Sequence, residues 1–241
     1  MEENKQLVEL LDYDNPRKAE YQRLVQESEK KQTHYLDRKN SPEIFGESSY
    51  DILHTNFDRA LGRRFLRGQE DDPNCFANII KKALKGNILI DLAGTTNLYD
   101  LAVNSKANMH IDVNRYFYEP EDFSNPFINL IDRYPYMRED IESSTEHFIV
   151  QADALDFVSR LQTGSACFTI NGLDGNIINH PDYHKALANE VARATKENGI
   201  VFGVFSDSLQ YLNGKFSIIN PSDISLPIFS KSSNKCKEVK E

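Results

Sequence analysis

Four aspartates and an asparagine stand where short apolar runs of this sequence give out. Asp91 falls in NILIDLAGTTN, Asp112 in MHIDV, Asp153 in VQADALDF, and Asn171 and Asp174 in FTINGLDG. A carboxylate accepts strong hydrogen bonds from hydroxyl and amino groups and favours positive charge close by. If the runs are neighbouring strands of one sheet, these residues gather beyond its carboxyl edge, where doubly wound sheets bind ligands. Other chemistries find less support. No serine or cysteine sits in a recognisable activating turn. The pair His180 and His184 in HPDYH invites a metal, but Pro181 starts a helix there and no third ligand is at hand, so no metal is expected. His184 is expected to be a solvated helix residue.

The elements that must position the acids follow from the apolar pattern. Runs at Ile88–Leu92, Met109–Val113, Phe148–Val150, Cys167–Ile170 and Ile200–Phe205 alternate with helix patterns at 96–104, 154–162 and 181–197. Runs that are apolar throughout imply strands covered on both faces, as in a parallel sheet. Strand and helix in alternation predict an α/β, doubly wound, mostly parallel sheet. In the helix at 181–197, Pro181 takes the first position, Tyr183, Leu187 and Val191 form the inner stripe, and Gly199 stops it. Residues 1–86 read as an N-terminal helical extension. There Tyr21, Leu24, Val25 and Ser28 share one narrow face, and DDPNCFANIIKKALKG makes a later helix with Gly86 at its end. The α/β domain spans 87–230, and 231–241 is a polar tail. The stretch 114–145 is longer than a crossover requires, which is usual for a segment with a function or structure of its own.

Composition narrows the functional classes. The 241 residues carry 28 basic and 37 acidic side chains, a net charge of −9. Such a surface repels polyphosphate, so nucleic-acid binding is not expected from bulk charge, although GRRFLRG is locally basic. Cys75, Cys167 and Cys236 show neither metal-ligand spacing nor a disulfide framework, and Cys167 reads as a small core residue. Neither a secretory signal nor an apolar stretch near the roughly 20 residues of a membrane helix is found, so a cytoplasmic protein is expected.

The order of these pieces resembles the class I S-adenosylmethionine-dependent methyltransferases. ILIDLAGTTN looks like that family's first motif, MHIDV its second-strand motif, and VQADALDF its adenine-side motif. YHKALANEVARATKENGIVFGVF is similar to the family's long helix, turn and fifth strand; together the likeness spans about Asn87 to Ser206. It implies a Rossmann-like methyltransferase sheet that binds S-adenosylmethionine and methylates an unidentified small-molecule or protein acceptor. Asp91 would lie near the cationic end of the cofactor, above a turn made by Ala93, Gly94 and Thr95. Asp112, 21 positions after Asp91, would take the ribose hydroxyls, with Val113 beside it. Asp153 and the Ala154 amide would read the adenine edge, with Leu155, Phe157, Tyr116 or Phe117 on its faces. Asn171 would face the methyl group. Asn171, Asp174 and the tyrosines of 114–136 are the acceptor-side candidates.

The likeness has departures. The first motif usually carries three glycines after its acid; here those positions are Ala93, Thr95 and Asn97, with Gly94 between them. Glycine lets backbone pass close to a ligand and adopt left-handed conformations, and Thr95 is the bulkiest change. A nicotinamide cofactor fits worse, since its pyrophosphate asks for G-x-G-x-x-G. The alternative is a non-catalytic protein of the same fold, with a degenerate pocket and a protein partner at its N-terminal helices. After the fifth strand, DSLQYLN is a short remnant of a helix. Two strands, Phe216–Ile219 and Ser225–Phe229, are expected to form a closing antiparallel hairpin, with Pro221 in the turn and Pro227 tolerable only at a sheet edge.

Overall fold

The computed structural model describes residues 10–11, 13–31, 76–93, 107–112, 146–175, 177–204, 206–219 and 227–231. Seven strands form one sheet: β1 (Ile88–Leu92), β2 (Ala107–Asp112), β3 (Glu146–Gln151), β4 (Cys167–Asn171), β5 (Ile200–Val204), β6 (Ser217–Ile219) and β7 (Ile228–Ser230). Their order is β3-β2-β1-β4-β5-β7-β6. The first five run parallel, and β7 joins β5 antiparallel. The chain therefore winds outward from β1 in both directions. This is the doubly wound Rossmann-like sheet, closed by an antiparallel hairpin, that the apolar runs and the resemblance predict.

Strand alternation divides the core into two faces. Ile90, Leu92, Met109, Ile111, Phe168, Ile170 and Val201 pack on one side against helices α3 (Ala154–Arg160) and α4 (Pro181–Ala194). Leu89, Cys167, Ile200 and Phe202 are buried on the other. Helix α2 (Phe76–Leu84) is on that second side, where the Cys167 thiol approaches the Ala83 carbonyl and Ile80 and Leu84 are buried. Cys167 is the core residue expected of it, and burial pushes its thiol pKa up.

A third layer lies outside α3 and α4. Helix α1 (Lys18–Lys31) turns Tyr21, Leu24 and Ser28 inward, with Val25 half-buried, as its apolar stripe predicts. It runs antiparallel to α4: the Tyr21 hydroxyl meets Glu190 near one end, and Glu27 meets His180 near the other. The segment before it is tied to α3, with Tyr13 N–H donating to the Arg160 carbonyl and Gln162 N–H to that of Leu10.

Several boundaries differ from expectation. Helix α4 ends at Ala194, not 197, because the Thr195 backbone turns extended and its hydroxyl donates to the Val191 carbonyl. Gly199 lies in the following turn. Strands β2 and β3 begin two residues earlier than their apolar cores, since backbone pairing with a neighbour continues past the last apolar side chain. Strand β7 is not an edge strand: β5 and β6 flank it, and Pro227 is tolerated because it precedes the strand and owes no ladder hydrogen bond. The helix pattern at 96–104, the insertion 114–145, Phe205 and Pro221 lie outside the described residues, as do Cys75 and Cys236. DSLQYLN forms a 3-10 helix over Asp207–Leu212.

Position 203 allows no side chain. Gly203 of β5 pairs with Ile170 of β4, and a Cβ there would overlap the Ile170 carbonyl oxygen and stand 2.8 Å from its carbon. Gly203→Ala must open the β4–β5 ladder at its centre and should cost roughly 3 kcal/mol or more. Chemical denaturation would read it; a loss under about 1 kcal/mol would mean that the two strands slide apart at little cost.

Candidate functional site

The carboxyl ends of the strands lie nearly level. Leu92 is in register with Ile111 and Ile170, Asp112 with Gln151, and Asn171 with Val204. The residue after β1, Ala93, donates its amide to the Ile111 carbonyl at 2.8 Å. Ala93, Asp112 and Asn171 thus stand side by side at the point where strand order reverses. Strand β1 ends at Leu92, as its apolar run predicts, so Asp91 does not end the strand but lies one residue inside it, fully buried. Asn171 ends β4 rather than following it.

The turns leaving β1 and β4 are both left-handed at their first step. Ala93 has φ 55° and Gly172 φ 64°. A Cβ on Gly172 would lie 3.9 Å from the Ala93 carbonyl oxygen, so the two turns pass face to face across the reversal point. Beyond Gly172 the loop is self-braced: the Asp174 carboxylate accepts from the Ile177 amide at 3.2 Å, and Leu173 accepts from the Asp207 amide at 3.1 Å. Gly94, Thr95 and Val113 lie outside the described residues.

Asp153 caps helix α3. Its Oδ1 accepts from the amides of Leu155 at 2.8 Å and Asp156 at 3.1 Å. The Tyr183 hydroxyl, carried by the first turn of α4 and fully buried, lies 3.1 and 3.0 Å from the two carboxylate oxygens. Ala154, beside it, is buried. Leu155 and Phe157 belong to the core between sheet and helices, which corrects their expected place against a ligand ring. They fall on the inward face of α3, where sequence spacing alone did not put them.

His184 also departs from expectation, being buried rather than solvated. Its Nε2 lies 2.6 Å from the Ile178 carbonyl oxygen, which can only accept, so Nε2 carries the proton and Nδ1 accepts the Ser208 hydroxyl at 2.9 Å. It joins α4 to the loop after β4 and to the 3-10 helix after β5. His180 Nδ1 caps α4 by accepting from the Tyr183 amide at 3.4 Å, and its Nε2 faces Glu27 of α1 at 3.4 Å. Both imidazoles are engaged in structure, and among the described residues no group of side chains is arranged to hold a metal ion. Tyr183 and His184 were missed as site-supporting residues. The available signal was a tyrosine on an apolar stripe, since a buried phenol seeks a polar partner for its hydroxyl.

Comparison with known proteins adds little at the level of sequence. No protein-family model matches the chain, and no curated protein matches it. Among solved structures it is similar to a rRNA methylase from Streptococcus thermophilus, 15% identical, with 65% of this chain and 94% of that one covered and a TM-score of 0.44. The Streptococcus mutans protein SMU.1697c, solved in complex with SAH, is 12% identical over 64% of this chain and 94% of that one, at a TM-score of 0.43. An S-adenosylmethionine-dependent methyltransferase from Clostridium acetobutylicum is 17% identical over 64% and 56% of the two chains, at 0.40. The strand order and register above carry the assignment of the fold, which is the doubly wound, Rossmann-like one expected.

Two measurements test this geometry. Ala93→Gly removes a Cβ from a left-handed residue at the expense of some unfolded-state entropy, so stability should rise by roughly 0.5 kcal/mol. A fall on thermal melting would show that the turn is not left-handed in solution. Burial holds the His184 pKa below its ordinary 6.5, outweighing the Ile178 carbonyl, which raises it. A histidine depressed on folding contributes stability that is complete above its unfolded value and lost as pH falls through the folded one. Stability of the native chain should therefore fall more steeply below pH 6.5 than that of His184→Gln. Parallel curves would place the imidazole in solvent.

Proposed function

We propose that the chain is an S-adenosylmethionine-dependent methyltransferase acting on a small-molecule or protein acceptor. The observation that carries this reading is the pair of left-handed turns facing each other where the strand order reverses, with Asp112 and Asn171 level with them. Ligands of doubly wound sheets bind at that crevice. The residues present fit the cofactor's parts. Asp112, at the end of β2, would accept both ribose hydroxyls, which a carboxylate does better than an amide or hydroxyl side chain. Asp153 and the Ala154 amide, two and three residues past β3, would read the adenine edge. Asp91, one residue inside the end of β1, would favour the cationic end electrostatically, and the turn of Ala93, Gly94 and Thr95 would pass beneath it. The left-handed Ala93 gives that turn the conformation a glycine would otherwise supply.

The bound cofactor would supply an activated methyl group. Its transfer can run largely on proximity and alignment, with at most a weak base for the acceptor's proton. The chain's own task is to hold two reactants in line at the strand ends. Asn171, level with Ala93 across the reversal, would face the methyl group. Asp174 and the tyrosines of 114–136 would meet the acceptor. No helix among the described residues is long and apolar enough to cross a membrane, and a cytoplasmic site of action is proposed with the activity.

Calorimetric titration with S-adenosylmethionine and S-adenosylhomocysteine tests the reading. Micromolar binding of either is expected, and Asp112→Ala should weaken it by roughly 2 kcal/mol, since a charged acceptor is removed from paired hydroxyls. Binding that survives the substitution unchanged would place the ribose elsewhere. The absence of heat and of any thermal shift at millimolar ligand would overturn the activity. It would favour the non-catalytic alternative, in which a protein partner meets the N-terminal helices, α1 included, on their charged outer face.

A further inference from the structure

The adenine-side residue does not act from a free loop, because its carboxylate is braced from a second helix. Asp153 follows β3 and Tyr183 follows β4, yet the Tyr183 hydroxyl reaches both carboxylate oxygens at 3.1 and 3.0 Å. The same hydroxyl oxygen lies 3.3 Å from the Leu155 amide, which also donates to Asp153. Tyr183 is fully buried and belongs to the same core cluster as Leu155 and Phe157 of α3 and Ala186 and Leu187 of α4. Its own amide is capped by His180 Nδ1, so the first turn of α4 is fixed in turn. The two amides hold Oδ1 from within α3, and the Tyr183 hydroxyl adds a contact to both oxygens from α4. A donor bridging both oxygens fixes the plane of the group, and a burial this deep makes that donor a rigid one.

We propose that Tyr183 is the positioning residue for adenine recognition: it sets the plane of the Asp153 carboxylate so that the acceptor meets an exocyclic amino group. This rests on the reading of the site as a cofactor pocket given above. Tyr183 does not touch the ligand in this proposal. It acts through Asp153, and its effect should therefore appear in the choice between bases rather than in binding of the ribose or the amino-acid end. An adenine presents an amino donor at the position where hypoxanthine presents a carbonyl acceptor. A carboxylate held in place should favour the first and repel the second, because a site built for a donor leaves buried polar groups unpaired when the analogue lacks it.

The experiment is calorimetric titration of native chain and Tyr183→Phe with S-adenosylhomocysteine and S-inosylhomocysteine. Phenylalanine keeps the ring in its pocket, and Asp153 and Leu155 keep their hydrogen bond to each other, so the variant should fold with a modest loss in Tm. The native chain should prefer the adenine ligand by about 30-fold or more, and Tyr183→Phe should lower that preference to about threefold. A Tyr183→Phe protein that is less stable but keeps the native preference would overturn the inference while leaving the cofactor reading intact. A native chain that binds neither ligand overturns that reading, and this inference falls with it. Replacement of Tyr183 by 4-fluorophenylalanine, which fills the place of the hydroxyl without its proton, is the second variant. The same collapse of preference is expected there, and an unchanged ratio would again reject the role.

Discussion

The layer outside the sheet is organised around one buried carboxylate. Glu190 of α4 is only 5% exposed, and a charge taken that far from water is costly unless it is paired and hydrogen-bonded. Here it is both. Arg193 donates to its Oε2 at 2.7 Å, the Asn15 amide donates to the same oxygen at 2.9 Å, and the Tyr21 hydroxyl donates to Oε1 at 2.7 Å. Burial, and after it the hydrogen bond to the Glu190 carboxylate, push the Tyr21 phenol well above its ordinary pKa, so it remains a donor throughout the physiological range. Arg193 then spends its other nitrogens on the carbonyls of Leu161 and Val158 at the end of α3, and its guanidinium lies over the Tyr13 ring at 4.0 Å. One side chain of α4 thus draws in α1, α3 and the segment before α1. Loss of any donor leaves a buried charge short of partners, which costs about 3–5 kcal/mol where one member of a buried pair is removed.

That network sits toward the end of α4 remote from the strand ends, and a second set of contacts closes the near end. Tyr183 joins α4 to the cap of α3, His180 faces Glu27 of α1, and His184 joins α4 to the loops after β4 and β5. A helix held at both ends cannot tilt against the sheet without breaking buried polar contacts. The strand-end row therefore rests on rigid elements, which is the condition for holding ligand groups to within fractions of an ångström. Among the described residues, α3 and α4 together join the N-terminal segment mechanically to the candidate site.

The parts legible in the sequence were those set by local periodicity. Five parallel strands, the inward stripe of α1, the start of α4 at Pro181 and the turn at Gly86 all follow from spacing that one element imposes on itself. The parts that were not legible depend on partners distant in the chain. The burial of His184 requires Ile178 and Ser208 to meet it, and the brace on Asp153 comes from a residue 30 positions away. Helix α4 stopped early because Thr195 could satisfy a carbonyl with its own hydroxyl, a competition that apolar spacing does not register. Pro227 was read as an edge residue for the same reason. A proline reports only that its own nitrogen makes no ladder bond, and the register of β7 places that nitrogen one residue outside the strand.

The glycine-poor turn after β1 separates two demands that a motif merges. Glycine at such a position answers a conformational demand, for left-handed backbone, and a steric one, for the absence of a side chain beside the ligand. At Ala93 the first is met without glycine: the residue is left-handed, and its amide is tied to Ile111 of the neighbouring strand. The strain is of the order of 1 kcal/mol and is carried by a strand end already fixed on both sides. The second demand is relaxed by only one methyl group. A chain can therefore lose the glycine and retain the path of the turn, provided that the strands on either side hold it. Counting glycines measures how easily a turn forms in an unfolded chain. The path a turn takes in the folded chain depends on the backbone that the sheet imposes, and at Ala93 the sheet imposes the left-handed one.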